Sequence, residues 1–380
     1  FLPDPGFTGI AEVQIQADDG FAQSAIATLE IDVSDGRLIA LDFDKTALVF
    51  NNPGTSAAVS IIGQFEDQAD VLLPYDYVAA AVEDENVIVV RDGFVTARAE
   101  GSTTFIAERD GVRAATVLAV GEPIDDLEYI GYQLGMDAYP DTVTVLAEGG
   151  TRQVVTQLGL FKDRLIGADE GVRFYSTNDA VATVDDQGLI TGLSEGETEI
   201  VVVHGYTEDR VVVRVDRPIV AATAMLGEQG GIVQNADGIS VAIGAGQLGE
   251  ETMVSVTTIA ENALPLPMND ALKENFNFGA AFNLNIEGDF DGPVQLAAPV
   301  ASDVAAPGEE VFFFVQRSFP TGENGELEDY WFVMDSGVVD DDGMARTASP
   351  PFPGVSERGN VLVARAARPI EKVRIDLGLQ

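Results

Sequence analysis

Residues 181–215, VATVDDQGLITGLSEGETEIVVVHGYTEDRVVVRV, lie over residues 86–120, NVIVVRDGFVTARAEGSTTFIAERDGVRAATVLAV, without a gap. Gly93 meets Gly188, Thr96 meets Thr191, Glu100 meets Glu195, Gly101 meets Gly196 and Val120 meets Val215, each pair 95 positions apart. A fixed spacing of this kind marks tandem copies of one supersecondary unit. Within and around the copies, Val143-Thr144-Val145, Val211 to Val215 and Val361 to Val363 alternate with period two, and helical periodicity is poor. Asp92-Gly93, Asp110-Gly111, Gln187-Gly188 and Asp237-Gly238 punctuate the runs as turns. Many short strands between Gly and Asp turns predict β-sandwiches. Val181, Val184, Leu189, Ile200 and Val202 are spaced as inward-facing positions, and Gly188 and Gly196 fall where the backbone needs positive φ.

Composition sets the limits around that unit. The 380 residues exceed one ordinary core, which predicts two to four domains, and the apolar share of 46% is that of a folded chain. Charge is the outlier: 63 acidic against 21 basic residues, a net charge of −42. Such a surface repels nucleic acid and anionic headgroups, favours solubility, attracts cations and suits work in salt. The chain has no cysteine, which excludes disulfides, thiolate metal sites and cysteine nucleophiles. No apolar run approaches the ~18 residues that would span a bilayer, so no membrane insertion is expected in this segment. The opening FLPDPGF has neither an initiator Met nor a signal-peptide pattern and reads as a processed or trimmed end.

The stretch VATVDDQGLITGLSEGETEIVVV resembles the group-2 bacterial immunoglobulin-like domain. It carries a Val-Ala-x-Val-Asp strand and turn, Gly-hydrophobic-hydrophobic-Thr, then a Gly and an alternating strand. Phe174-Tyr175-Ser176 takes the family's aromatic-x-Ser place. The first copy is looser, with Val90-Arg91-Asp92 at the turn and Tyr77 in the aromatic place. The resemblance implies a seven-stranded sandwich of surface and secreted bacterial proteins. Residues 9–33 match only the last two strands of a copy: Gly9 sits like Gly101, Gly20 like Gly111 and Val33 like Val120. Residues 368–380, RPIEKVRIDLGLQ, alternate Val373, Ile375, Leu377 and Leu379 and resemble a first strand, as Leu38 to Phe43 does. The chain is therefore expected to be a segment of a longer repeat array. Its last strand either opens a following domain or is donated to the N-terminal hairpin of the next molecule.

Residues 219–367 carry another pattern. GGIVQNADGISVAIGAGQLGEETMVSVTTI (230–259) resembles the opening of the ankyrin and netrin-receptor type ZU domain, and DYWFVMDSGVVDDDG (329–343) resembles the Trp-bearing strand and Asp-Gly hairpin of bacterial versions. Some relatives cleave themselves at His-Phe-Ser. Here Ser349-Pro350-Pro351-Phe352-Pro353 has no His, so no self-cleavage is expected. The expected fold is all-β: tandem immunoglobulin-like β-sandwiches with a larger C-terminal β-sandwich module. The expected parts are a partial immunoglobulin-like domain (1–33), two repeats (34–120 and 121–216), a ZU-like β-module (217–367) and a first or donated strand (368–380).

Chemistry has few candidates. His204 is the only histidine, with Arg109 as its repeat partner and no Gly-x-Ser-x-Gly elbow in the chain, so it is expected exposed at a strand end in a structural role. Glycosidase chemistry needs two carboxyls about 5–10 Å apart in a cleft, and nothing in the sequence singles out a pair. No catalytic residue and no enzyme activity are expected. Calcium is the one cofactor argued for, since hard cations take six to eight oxygens. Asp125, Asp126 and Glu128, at the junction of the two repeats, are the candidate ligands. Asp18-Asp19, Asp185-Asp186 and Asp340-Asp341-Asp342 are also acidic, but the last two precede turn glycines, where Asp serves its own backbone. Tyr129, Tyr132 and Tyr139 cluster before the second copy, and Phe312-Phe313-Phe314 and Tyr330-Trp331 lie in the C-terminal part. Consecutive phenylalanines on a strand point to both faces, so packing is their first role. Tyr132 and Trp331 are the candidate contacts to a polysaccharide.

The expected job is non-enzymatic: a structural or adhesive, rod-like spacer segment of an extracellular bacterial surface protein or fibre. Its partners would be other copies of the chain or neighbouring surface proteins, with no nucleic acid. Short linkers, Gly121-Glu122-Pro123 and Arg217-Pro218, would limit bending. The alternative is a carbohydrate-binding or accessory segment of a secreted polysaccharide-degrading protein.

Overall fold

The computed structural model describes residues 7–91, 93–121, 136–158, 164–249, 251–321, 326–349 and 352–367. It is all-β, and the chain divides into two compact units between Glu122 and Pro123.

The first unit opens with a hairpin of β1 (Gly9–Ile15) and β2 (Ala27–Val33). It continues with β3 (Leu38–Phe43), β4 (Leu48–Phe50), β5 (Ser56–Ala58), β6 (Ile61–Phe65), β7 (Val71–Leu73), β8 (Ala79–Val82), β9 (Ile88–Arg91), β10 (Phe94–Ala97), β11 (Gly101–Arg109) and β12 (Val112–Val120). β3 to β12 form an immunoglobulin-like sandwich from sheets ordered β3-β6-β7, β5-β10-β9 and β4-β12-β11-β8. Alternation in the strands sends Leu41, Phe43, Ile61, Val95, Phe105 and Leu118 inward to one core. The Phe43 and Phe105 rings stack with centroids 4.5 Å apart.

The second unit begins with the same architecture: β13 (Asp137–Tyr139), β14 (Thr142–Leu146), β15 (Thr151–Gln153), β16 (Val155–Leu158), β17 (Arg164–Ile166), β18 (Arg173–Ser176), β19 (Ala182–Val184), β20 (Leu189–Gly192), β21 (Gly196–His204) and β22 (Thr207–Asp216). Its sheets run β13-β16-β17, β15-β20-β19 and β14-β22-β21-β18. The spacing read from residues 86–120 extends to earlier strands. Phe43 pairs with Ile61 as Ala138 pairs with Thr156, and Ser56 pairs with Thr96 as Thr151 pairs with Thr191. Leu48 meets Leu118 in parallel as Val143 meets Val213. The turn glycines agree as well: Gly93 has φ 81° and Gly188 φ 82°, in the left-handed region that a side chain disfavours.

The rest of the second unit is one eleven-stranded sheet. Its strands are β23 (Ile219–Val220), β24 (Thr223–Leu226), β25 (Gly231–Gln234), β26 (Ser240–Ile243), β27 (Thr252–Thr258), β28 (Phe276–Ile286), β29 (Gln295–Pro299), β30 (Glu310–Thr321), β31 (Glu326–Val339), β32 (Met344–Thr347) and β33 (Gly359–Ala366). The order is β23-β25-β26-β29-β32-β31-β30-β33-β28-β27-β24. Its outermost strands, β23 and β24, are consecutive in the chain, so the sheet nearly closes on itself. Val241, Val254, Phe282, Leu296, Phe313 and Val363 fill the enclosed core. The opposite face of β30 and β33 carries a smaller cluster, with Phe312, Phe314, Leu362 and Ala364 under Leu264 and Met268. The three consecutive phenylalanines thus serve both faces of their strand.

Candidate functional site

The second sandwich meets the curled sheet around one buried arginine. Arg152 sits in β15 opposite Ile190, in the register that Ala57 holds opposite Val95 in the first sandwich. Its side chain is only 7% exposed. Its Nη1 donates to the Thr347 carbonyl at 2.8 Å and its Nη2 to the Ser349 carbonyl at 3.4 Å. Those carbonyls lie at and just beyond the end of β32, where the ladder no longer uses them. A planar fork of donors suits two such acceptors.

Asp335 of β31 lies beside this contact, 1% exposed. It accepts from the Ser349 hydroxyl and, at 2.8 Å, from the Ser336 amide. Burial pushes its carboxyl up to about 6, against the Ser349 hydrogen bond and the Arg152 charge, which pull it down. Burial also lowers the Arg152 pKa, and the Asp335 charge opposes that. Each group holds the other's charge in a place that water does not reach.

A polar rim surrounds the pair. The Thr151 hydroxyl donates to Asp340 Oδ2 at 2.5 Å, and Gln295 Nε2 donates to the Thr151 carbonyl at 2.7 Å. Arg346 spans Asp340 and Asp342 at 2.6 Å each. Two clefts flank the contact. One of ≈ 180 Å³ is lined by Tyr139, Thr142, Arg152, Gly244 and Gln247, and one of ≈ 220 Å³ by Leu146, Thr151, Ile232 and Met344. Both fall below the roughly 300–1,000 Å³ of small-ligand sites. The arrangement is chemically suited to holding two bodies together.

The residues singled out from sequence separate clearly. Asp125, Asp126, Glu128, Tyr129 and Tyr132 lie outside the described residues, as does the segment 368–380. Trp331 is half-buried against the smaller cluster, with Nε1 donating to the Leu266 carbonyl at 3.0 Å. Its strand neighbours Tyr330 and Phe332 are exposed instead. His204 ends β21, but it is buried and not exposed as expected, at 9% exposure. Its Nε2 lies 3.1 Å from the Glu170 carbonyl, because the turn after β17 folds over it, and burial lowers its pKa. Asp18 and Asp19 accept the amides of Gly20, Phe21 and Ala22, and Asp185 those of Gln187 and Leu189, which is turn chemistry. Asp340 and Asp342 already have Arg346 as their cation. Among the described residues no group of three or more His, Cys, Asp or Glu side chains could hold a metal ion.

Sequence reasoning missed Arg152. One signal was available: a basic residue in a strand whose repeat equivalent is Ala57, in a chain with only 21 basic residues.

Residues 139–215 match the bacterial Ig-like domain (group 2) family. No curated protein matches the chain. Among solved structures, it is similar to domains 4 and 5 of the S-layer protein SbsC, at 18% identity over 47% of this chain and 98% of that one, with TM-score 0.18. The structure rSbsC(31-844) is 15% identical over 76% of this chain and 43% of that one, with TM-score 0.22. Human protocadherin-24 EC1-2 is 10% identical over 47% and 99%, with TM-score 0.17. The chain spans less than half of the longer SbsC structure, and likenesses with such TM-scores carry no argument about function.

Proposed function

We propose that this chain is a non-enzymatic structural segment of an extracellular bacterial surface protein or fibre, in which sandwich modules supply length and stiffness. The observation that carries the reading is the buried Arg152 contact. It ties an immunoglobulin-like sandwich to the next β-body through backbone carbonyls and a buried carboxylate, in place of a ligand site. The group-2 match at 139–215 and the acidic surface, which resists lateral clumping, support the same reading. In it the chain divides at 33, 120, 216 and 367, and the last module is ZU-like on the residues of 230–259. Asp125, Asp126 and Glu128 remain the proposed calcium ligands between the repeats. Electron micrographs of the purified chain test the proposal: extended strings of beads are expected, and compact globules would overturn it. Calorimetry with calcium tests the ion, with a heat of binding and a raised melting temperature expected.

One observation favours the alternative, a carbohydrate-binding segment. The β30–β31 ribbon carries Phe319 and Phe332 with ring centroids 4.9 Å apart, beside exposed Tyr330 and Leu327. Flat exposed aromatics can serve as sugar platforms. Since Trp331 points into the packed cluster, saturable polysaccharide binding under this reading is lost in Tyr330→Ala and Phe332→Ala and kept in Trp331→Phe.

A further inference from the structure

The outer face of the curled sheet changes character along its own strands. Alternation sends Phe313, Val315, Val361 and Val363 into the enclosed core, and Phe312, Phe314, Leu362 and Ala364 out to the smaller cluster. One step further along the same strands, the outward residues become amides. The register puts Thr257, Asn283, Asn360, Gln316 and Trp331 in one row across β27, β28, β33, β30 and β31. These five strands are neighbours in the sheet, so the row runs about 19 Å at the ordinary strand spacing of about 4.8 Å.

The amides are joined in one direction. Asn283 Nδ2 donates to Asn360 Oδ1 at 2.9 Å, Asn360 Nδ2 to Gln316 Oε1 at 2.8 Å, and Gln316 Nε2 to Asp329 Oδ2 at 2.8 Å. Each amide spends one N–H on its neighbour, which fixes its plane and leaves a second N–H and further lone pairs for another partner. A chain of this kind polarises toward the carboxylate at its end, which strengthens the remaining donors. Trp331 closes the row, held by its own bond to the Leu266 carbonyl. The three amides are half-buried and Thr257 is exposed.

The row is an uncharged strip in a chain of net charge −42. The charged side chains beside it are engaged: Arg358 donates to the Ile286 carbonyl, and Asp329 accepts from Gln316 and Ser318. Fixed, neutral groups that both give and take hydrogen bonds, presented strand after strand, complement hydroxyl groups along an extended polymer. A polyanion would meet Asp329 and the acidic surface beyond it. We infer that this row binds a neutral, linear polysaccharide lying across the strands, gripped through its hydroxyls. The row lies on the opposite side of the β30–β31 ribbon from Phe319 and Phe332, so it is separate from that aromatic pair. The inference goes beyond the spacer reading. An extended chain that binds no polysaccharide would refute the site and leave the spacer standing.

The test is affinity electrophoresis of the whole chain through gels cast with hydroxyethylcellulose, arabinoxylan or galactomannan, and with polygalacturonate as the acidic comparison. Retardation that saturates with polymer concentration is expected for at least one neutral polymer, and none for polygalacturonate. Affinity should fall about tenfold in Asn360→Ala, which cuts the relay at its centre. It should fall about threefold in Thr257→Ala, an exposed position that makes none of the relay bonds and so leaves the fold intact. Tyr330→Ala, on the opposite ribbon face, should bind as the native chain does. No retardation by any neutral polymer, equal retardation by polygalacturonate, or binding unchanged in both Asn360→Ala and Thr257→Ala overturns the inference.

Discussion

The first and second sandwiches share strand order, register and turn glycines, yet they are used differently. At one equivalent position the first has Ala57 and the second Arg152. Ala57 packs at the margin of its own core, whereas Arg152 leaves its sandwich and is buried against the curled sheet. The fold is set by positions that are the same in both copies, and the neighbour is chosen by a position that differs. A buried guanidinium has no good alternative partner, so the contact specifies one docking geometry over others.

The comparison breaks most visibly if Arg152 is removed. Arg152→Ala leaves Asp335 buried without its cation and two carbonyls without donors. It is expected to destabilise the second unit by about 3–5 kcal/mol in denaturant unfolding. Ala57→Gly in the first sandwich should cost that unit only about 0.5–1 kcal/mol, the entropy of a strand glycine.

The turn glycines sharpen it next. At Gly93 an added Cβ would find only the Tyr75 ring, at 3.5 Å, whereas at Gly188 it would meet the Val154 carbonyl at 2.6 Å and the Phe174 ring at 2.9 Å. Gly93→Ala should cost about 1–2 kcal/mol, the left-handed backbone alone. Gly188→Ala should cost roughly twice as much or more by thermal unfolding, since the clash adds to it.

A stability that falls as pH rises through the mildly acidic range should belong to the second unit. The Asp335 carboxyl is raised from 3.8 to about 6 in the folded protein. The native state therefore holds its proton more tightly, and its favourable contribution is complete below about pH 4. It declines as pH rises through about 6 and is flat above that. The difference between the native chain and Asp335→Asn should change by about 2–3 kcal/mol across that window, read from unfolding curves at each pH.

The smallest effect has the opposite sign. Thr156 occupies the place of Ile61, fully buried, with its hydroxyl lacking a hydrogen-bond partner. Thr156→Val should stabilise the second sandwich by about 1 kcal/mol, measured by its melting temperature, whereas Ile61→Thr should weaken the first.

Much of the fold was legible because it is local. Period-two alternation and Asp-Gly turns are written within a few residues, and the repeat exposes the positions that both copies need. The Phe312-Phe313-Phe314 run was legible for the same reason, since alternation alone divides it between two faces. The docking contact was not, because Arg152 and its acceptor Thr347 lie 195 residues apart and no local pattern links them. His204 was misplaced for a similar reason: the turn that buries it comes 34 residues earlier. The acidic run at Asp340–Asp342 was half legible. Its turn role follows from Gly343, but its neutralisation by Arg346 depends on side-chain reach across the turn.

The central claim is that Arg152 makes the second sandwich and the curled sheet one stiff body. The absence of cysteine allows spin labels to be placed at Asp186→Cys and Asp303→Cys, exposed on the sandwich and on the sheet. Electron–electron distance measurement in the otherwise native chain should give one narrow distribution that broadens in Arg152→Ala. A broad or multiple distribution in the native chain would contradict the account.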